Sequence, residues 1–150
     1  MDLFEAGIIT GFTMGEGCFC IKITKSKTHR TGYQIVQSFK ISLKREDKKI
    51  LQFIKKRLRC GKVRIYKNCS VFEVVKMQDI LEIIIPFFNQ FPLKNVKHKD
   101  FLYFKIICYK LIMGEGREIE GINRIISIRN KMNKSGEKNR RYKNIIKHDF

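Results

Sequence analysis

The chain has 150 residues, enough for one domain with a single core. Its 32 Lys+Arg against 14 Asp+Glu leave a net charge of +18, and a balance so basic points to a polyanionic partner. With 43% hydrophobic residues and 12 Phe it is a folded protein and not a basic disordered tail. No apolar run is long enough to span a bilayer, and the start Met-Asp-Leu-Phe-Glu is unlike a signal peptide, so nucleic acid ranks ahead of a membrane. Five cysteines without a C-x-x-C pair read as small buried hydrophobes in a reducing compartment. Three scattered histidines form no zinc or nuclease cluster, which leaves carboxylates, lysines and a hard metal to carry any catalysis. Ala6 is the only alanine, while Ile, Lys, Asn and Phe abound, a bias expected of an AT-rich, organellar genome.

The first predicted element is a helix from about Leu3 to Met14. A strand over about Gly17 to Thr24 follows, with Phe19, Ile21 and Ile23 toward a core and Lys22 and Thr24 away from it. After a polar turn, Tyr33 to Leu43 alternates again, with Ile35, Phe39, Ile41 and Leu43 inward and Gln34, Ser38, Lys40 and Ser42 outward. Gln37 breaks the inward parity. Glu46-Asp47 opens a helix with Ile50, Leu51, Ile54 and Leu58 on its apolar face, ended by Gly61. A second hairpin pairs Lys62 to Tyr66 with Ser70 to Val75 around Lys67-Asn68. Asp79 heads an apolar helix stopped at Pro86. Helices over about Lys97 to Met113 and Glu118 to Met132 close the domain, 1–132, and 133–150 is expected to be a basic, loosely ordered tail. The order αββαββα with extra C-terminal helices is α+β, an antiparallel sheet packed on helices.

The segment Ile9 to Gly17 reads I-T-G-F-T-M-G-E-G. Gly7 and Gly11 share one helix face, where another backbone must come close. Glu16 is a lone acid at the helix C-terminus, the negative end of its dipole, which calls for a neighbouring cation. The segment resembles the nine-residue signature of the LAGLIDADG homing endonucleases, and Cys18-Phe19 fits its continuation. Met14 departs from the signature, standing where its first acid usually is. The element order is similar to that family's, with a saddle-shaped sheet. Two softer patterns agree: Ile85-Pro86-Phe87-Phe88 with Phe91-Pro92-Leu93-Lys94, and Lys97-His98-Lys99-Asp100-Phe101 with Phe104. Met113-Gly114-Glu115-Gly116 repeats part of the signature, but Ile106 and Lys110 replace its glycines, so it reads as a helix-to-helix loop.

The resemblance implies a site-specific endonuclease working as a homodimer through Gly7, Thr10, Gly11 and Met14, on a long, near-palindromic double-stranded DNA. Glu16 and Gly15 would hold Mg²⁺, with Mn²⁺ able to substitute and Ca²⁺ supporting binding without cleavage. Glu16 and Lys97 are the expected catalytic residues, with Lys94 or Lys99 as substitutes for Lys97. Leu43 falls where some relatives have a water-positioning Gln, leaving Ser42, Lys44 or Lys40 to compensate. Strand parity and turn position propose Lys22, Thr24, Ser26, His29, Arg30, Gln34, Ser38, Lys40, Ser42, Arg64, Tyr66, Lys67 and Glu73 as DNA contacts. The alternatives are a maturase binding intron RNA, or a non-catalytic DNA-binding module of the same fold.

Overall fold

The computed structural model describes residues 1–133; the tail expected over 133–150 falls, but for its first residue, outside them. The elements are α1 (Leu3–Glu16), β1 (Gly17–Lys25), β2 (Tyr33–Lys44), α2 (Lys48–Leu58), β3 (Lys62–Ile65), β4 (Cys69–Val74), α3 (Met77–Asp79), α4 (Ile85–Gln90), α5 (Val96–Ile112) and α6 (Ile119–Arg129). The antiparallel sheet has the order β1-β2-β4-β3. By its contacts the chain divides into two compact units, one of residues 1–20 with 38–98, the other of 21–37 with the described residues from 99.

The first unit is built on aromatic packing. Phe19, Phe39, Phe72 and Phe88 are fully buried. Phe39 stacks on Phe19 at 5.1 Å and meets Phe88 and Phe72 edge-on at 5.4 and 6.3 Å. Strand alternation delivers three of these rings to one sheet face, because Ile41 pairs with Phe72 and Phe39 with Val74. Leu51, Ile54 and Leu58 cover that face from α2. In the second unit Ile23, Ile122 and Ile126 form a smaller core flanked by Tyr33, Ile35 and Ile119.

α1 carries a capping box. Asp2 accepts from the Glu5 backbone N–H at 2.8 Å, and the Glu5 carboxylate accepts from Asp2 N–H at 3.3 Å. Thr13 is fully buried, yet its hydroxyl is satisfied by the Ile9 carbonyl at 2.8 Å.

Three expected boundaries move. α2 ends in the left-handed Arg59 (φ 57°), and Gly61 (φ 76°) completes the turn. A Cβ on Gly61 would lie 2.7 Å from the Phe72 ring, so the chain passes there only as glycine. The hairpin turn is Lys67-Asn68 as expected, closed by Tyr66 N–H to Cys69 O at 2.8 Å, so Tyr66 belongs to the turn and not to β3. Pro86 does not stop the helix. A π turn over Ile80–Ile84 widens the helix just before it, and the Ile85 N–H reaches Ile80 O. The wider turn accommodates a residue with no N–H to donate, and Pro86 sits at the start of α4.

Candidate metal centre and nucleic-acid interface

The end of α1 is the chemically distinctive place in the first unit. The last helical carbonyls have no partners within the helix, and no basic side chain lies in the last turn. The Thr13 carbonyl takes the Gly17 N–H, and Asn95 Nδ2 donates to the Met14 carbonyl at 2.9 Å. Lys97 Nζ donates to the Gly17 carbonyl, which brings an ammonium to the residue after Glu16. Glu16 is exposed and, among the described residues, has no hydrogen-bond or ion-pair partner. It shares a shallow concavity with Phe12, Ser42, Leu43, Lys44 and Asp47. Leu43 supplies no polar atom there, but the exposed Lys44 beside it does, and Asp47 adds a second acid. Asn95 and Asp47 were not singled out from sequence. Asp47 reads there only as a helix start, and Asn95 carries no local signal because its contact spans 81 residues.

No group of three His, Cys, Asp or Glu side chains able to cage a metal occurs among the described residues. One chain offers the Glu16 carboxylate and the carbonyl of the exposed Gly15, both hard oxygen donors. That sparse set fits Mg²⁺, which keeps several waters and takes one or two carboxylates, with substrate phosphates completing its shell.

The outer strand positions are partly committed. In the first unit Lys40, Ser42, Arg64, Tyr66 and Lys67 are at least half-exposed. Glu73 is not a free acceptor: Lys40 and Arg64 hold its carboxylate at 3.1 and 2.9 Å. Ser38 keeps the outward parity but is only 6% exposed, because Cys20, with which it hydrogen-bonds, covers it. The hydrogen bond with Cys18, helped by burial, holds the Cys20 thiol well above the usual thiol range. In the second unit Lys22, His29 and Gln34 are exposed, and Thr24 and Ser26 half-buried. Ser26 Oγ lies 2.7 Å from His29 Nδ1, bracing the hairpin tip. Arg30 pairs with Glu118, so a phosphate would have to displace that exposed pair, a low cost for a surface bridge.

One face of α1 is open. Leu3 and Phe4 are 81% and 77% exposed, large values for apolar side chains. Gly7, Gly11 and Gly15 continue the row from Leu3 at four-residue spacing, and a Cβ built on any of them meets nothing within 4 Å. Thr10 and Met14 are half-buried in their own chain instead. The Thr10 hydroxyl bonds the Ala6 carbonyl at 2.7 Å, and Met14 Sδ accepts from Lys94 N–H at 3.4 Å.

The second Met-Gly-Glu-Gly is a loop, as expected. Gly114 has φ 85° and Glu115–Arg117 is a single 3₁₀ turn. Glu115 is held by Lys110 at 3.0 Å and Arg124 at 3.3 Å. The Lys110 hydrogen bond, first among the causes, lowers its pKa. A lowered folded value means that its stabilisation is present above the ordinary glutamate range and lost as pH falls through the lowered value. Glu115→Gln should therefore lower the melting temperature at neutral pH, leave it nearly unchanged in acid, and so flatten the acid side of the profile.

An αββαββα fold with a lone acid where the first helix enters the first strand defines a domain of the LAGLIDADG class. A family model described as LAGLIDADG endonuclease matches residues 9–108, and the chain belongs to that family. The Neurospora crassa protein "Probable intron-encoded endonuclease 2" is 31% identical over 126 residues, 83% of this chain and 26% of that protein. The chain spans about a quarter of the length of such relatives. Among solved structures, the homing endonuclease I-TnaI superposes with TM-score 0.83 at 31% identity, covering 93% of this chain and 94% of that one. The meganuclease I-SmaMI, solved on uncleaveable DNA, gives TM-score 0.81 at 27% identity, covering 84% of this chain and 43% of that one.

Proposed function

We propose that this chain is one subunit of a homodimeric homing endonuclease that makes a metal-dependent double-strand break in a long, near-palindromic DNA site. The observation that carries the reading is Glu16, an exposed carboxylate at a helix C-terminus with no partner among the described residues, beside an open glycine face on the same helix. Two α1 helices meeting along Leu3, Gly7 and Gly11 would bring two such acids together. Like charges at two negative helix ends repel, and a divalent cation relieves both. Glu16 and the Gly15 carbonyl would hold the ion in each chain. When bound, Mg²⁺ supplies Lewis acidity and a more acidic water for phosphodiester hydrolysis. Lys97, anchored on the Gly17 carbonyl, would neutralise charge at the phosphate. Met14, held by Lys94 and Asn95, would fix the helix end and not the subunit contact.

Lys22, Thr24, Ser26, His29 and Gln34 of the second unit and Lys40, Ser42, Arg64, Tyr66 and Lys67 of the first would contact DNA, with Glu73 orienting Lys40 and Arg64. The gene would lie in an intron of an AT-rich organellar genome, in keeping with the relatives' names.

The test is cleavage of a randomised DNA-site library by the purified protein. Mg²⁺ or Mn²⁺ should support cutting, chelation should abolish it, and Ca²⁺ should support binding alone. Binding without cutting in every metal would instead favour the maturase or the non-catalytic module. Lys97→Met should lower cleavage by about 10²-fold, the usual cost of losing one electrostatic donor. Binding in Ca²⁺ should hold, and Lys97→Arg should recover much of the rate.

A further inference from the structure

A second cationic surface lies away from the acids. An open groove is lined by Gln52, Lys55, Lys56 and Arg59, with Val63 and Ile65 of β3 along its floor. Positions 52, 55 and 56 fall on one helical stripe, about 6 Å long at 1.5 Å per residue, and Arg59 follows just past the helix end. Lys55, Lys56 and Arg59 have no ion-pair partner among the described residues, whereas Arg57, one residue away, is paired with Glu5. Cations at a helix C-terminus ordinarily complement its dipole. That role accounts for Lys55, Lys56 and the C-cap Arg59, but not for the apolar floor beside them, where Ile65 is left 44% exposed.

The groove is on the opposite side of the strands from the outer positions. Val63 pairs with buried Phe72 and Ile65 with buried Ser70, on the face that α2 covers. Arg64 pairs with Val71 and reaches Glu73 on the other face. A duplex lying against Lys40 and Arg64 would not reach Lys55 or Arg59.

We propose that the α2–β3 groove is a second nucleic-acid site, which grips the phosphodiester backbone of a single strand independently of the duplex. Its lining holds cations, one amide and apolar carbons but no aromatic ring, so it grips charge with little base preference. Of the lining polar groups only the Gln52 amide could both donate to and accept from a 2′-hydroxyl, so ribose and deoxyribose strands should bind nearly alike.

The test is fluorescence anisotropy of labelled oligo(U) and oligo(dT) over a salt series, with the full chain. Replacing Lys55, Lys56 and Arg59 together by Glu should weaken both probes by about tenfold or more. Replacing them by Gln should lower the salt slope by about 2, near 0.7 per lost phosphate contact on single strands. Binding of duplex DNA in Ca²⁺ should stay as in the unmodified chain. The proposal is overturned if the Gln variant, shown folded by its melting curve, binds both oligomers with unchanged slope. It is also overturned if that variant loses oligomer and duplex in parallel, since one shared site would then serve both. Should the endonuclease reading itself fail, the oligomer measurements still decide this one.

Discussion

Glu16→Gln should abolish cleavage in Mg²⁺ and leave the fold and the DNA affinity in Ca²⁺ intact. Glu16 is exposed and has no partner among the described residues, so its replacement breaks no interaction within the chain. The amide also removes one negative charge from the negative end of a helix, which if anything helps the isolated subunit. All of the loss should therefore fall on the reaction. Losing a group that hydrogen-bonds a metal ligand typically costs about 10–100-fold, so losing the principal ligand should cost more than about 100-fold. A parallel loss of melting temperature would mean that Glu16 is structural. Asp47→Asn is the informative companion. It lines the same concavity as Glu16. A partial loss there, with Glu16→Gln complete, would make Glu16 the principal acid of that concavity.

The second large effect runs in opposite directions for stability and assembly. Gly7→Ala and Gly11→Ala place methyl groups in open space within the subunit. Each should stabilise the isolated fold by about 1 kcal/mol, because glycine is that much poorer than alanine in a helix interior. Self-association should weaken at the same time, since the two methyls separate helices that glycine lets touch. Leucine at either position should leave a folded monomer that no longer cuts both strands. Sedimentation and melting curves on the same samples measure the two effects. A gain in stability with unchanged association would place the subunit contact elsewhere than on α1.

Much of this was legible in the sequence. Hydrophobic alternation placed Phe19, Ile21, Ile23, Phe39 and Ile41 inward, and all five are buried. The motif placed Glu16 at the junction of α1 and β1. The misses share a physical origin in contacts distant along the chain. Ser38 follows the parity of an outward residue, but its neighbour Cys20 covers it. Glu73 reads as a free acid until register places Lys40 opposite it and Arg64 within 2.9 Å. The π turn before Pro86 is invisible to periodicity, because one extra residue per turn leaves the apolar count unchanged. The capping box of Asp2 and Glu5 is the exception, since its D-x-x-E spacing is wholly local.

The central claim is that each subunit's Glu16 cuts one DNA strand at a shared twofold interface. Mixed dimers test it most directly: an unmodified subunit and a Glu16→Gln subunit, carrying different tags, purified through both and given a supercoiled target in Mg²⁺. Nicked circles are expected from the mixed dimer and linear DNA from the unmodified one. Linear DNA from the mixed dimer at the unmodified rate would contradict it, because one Glu16 would then suffice for both strands.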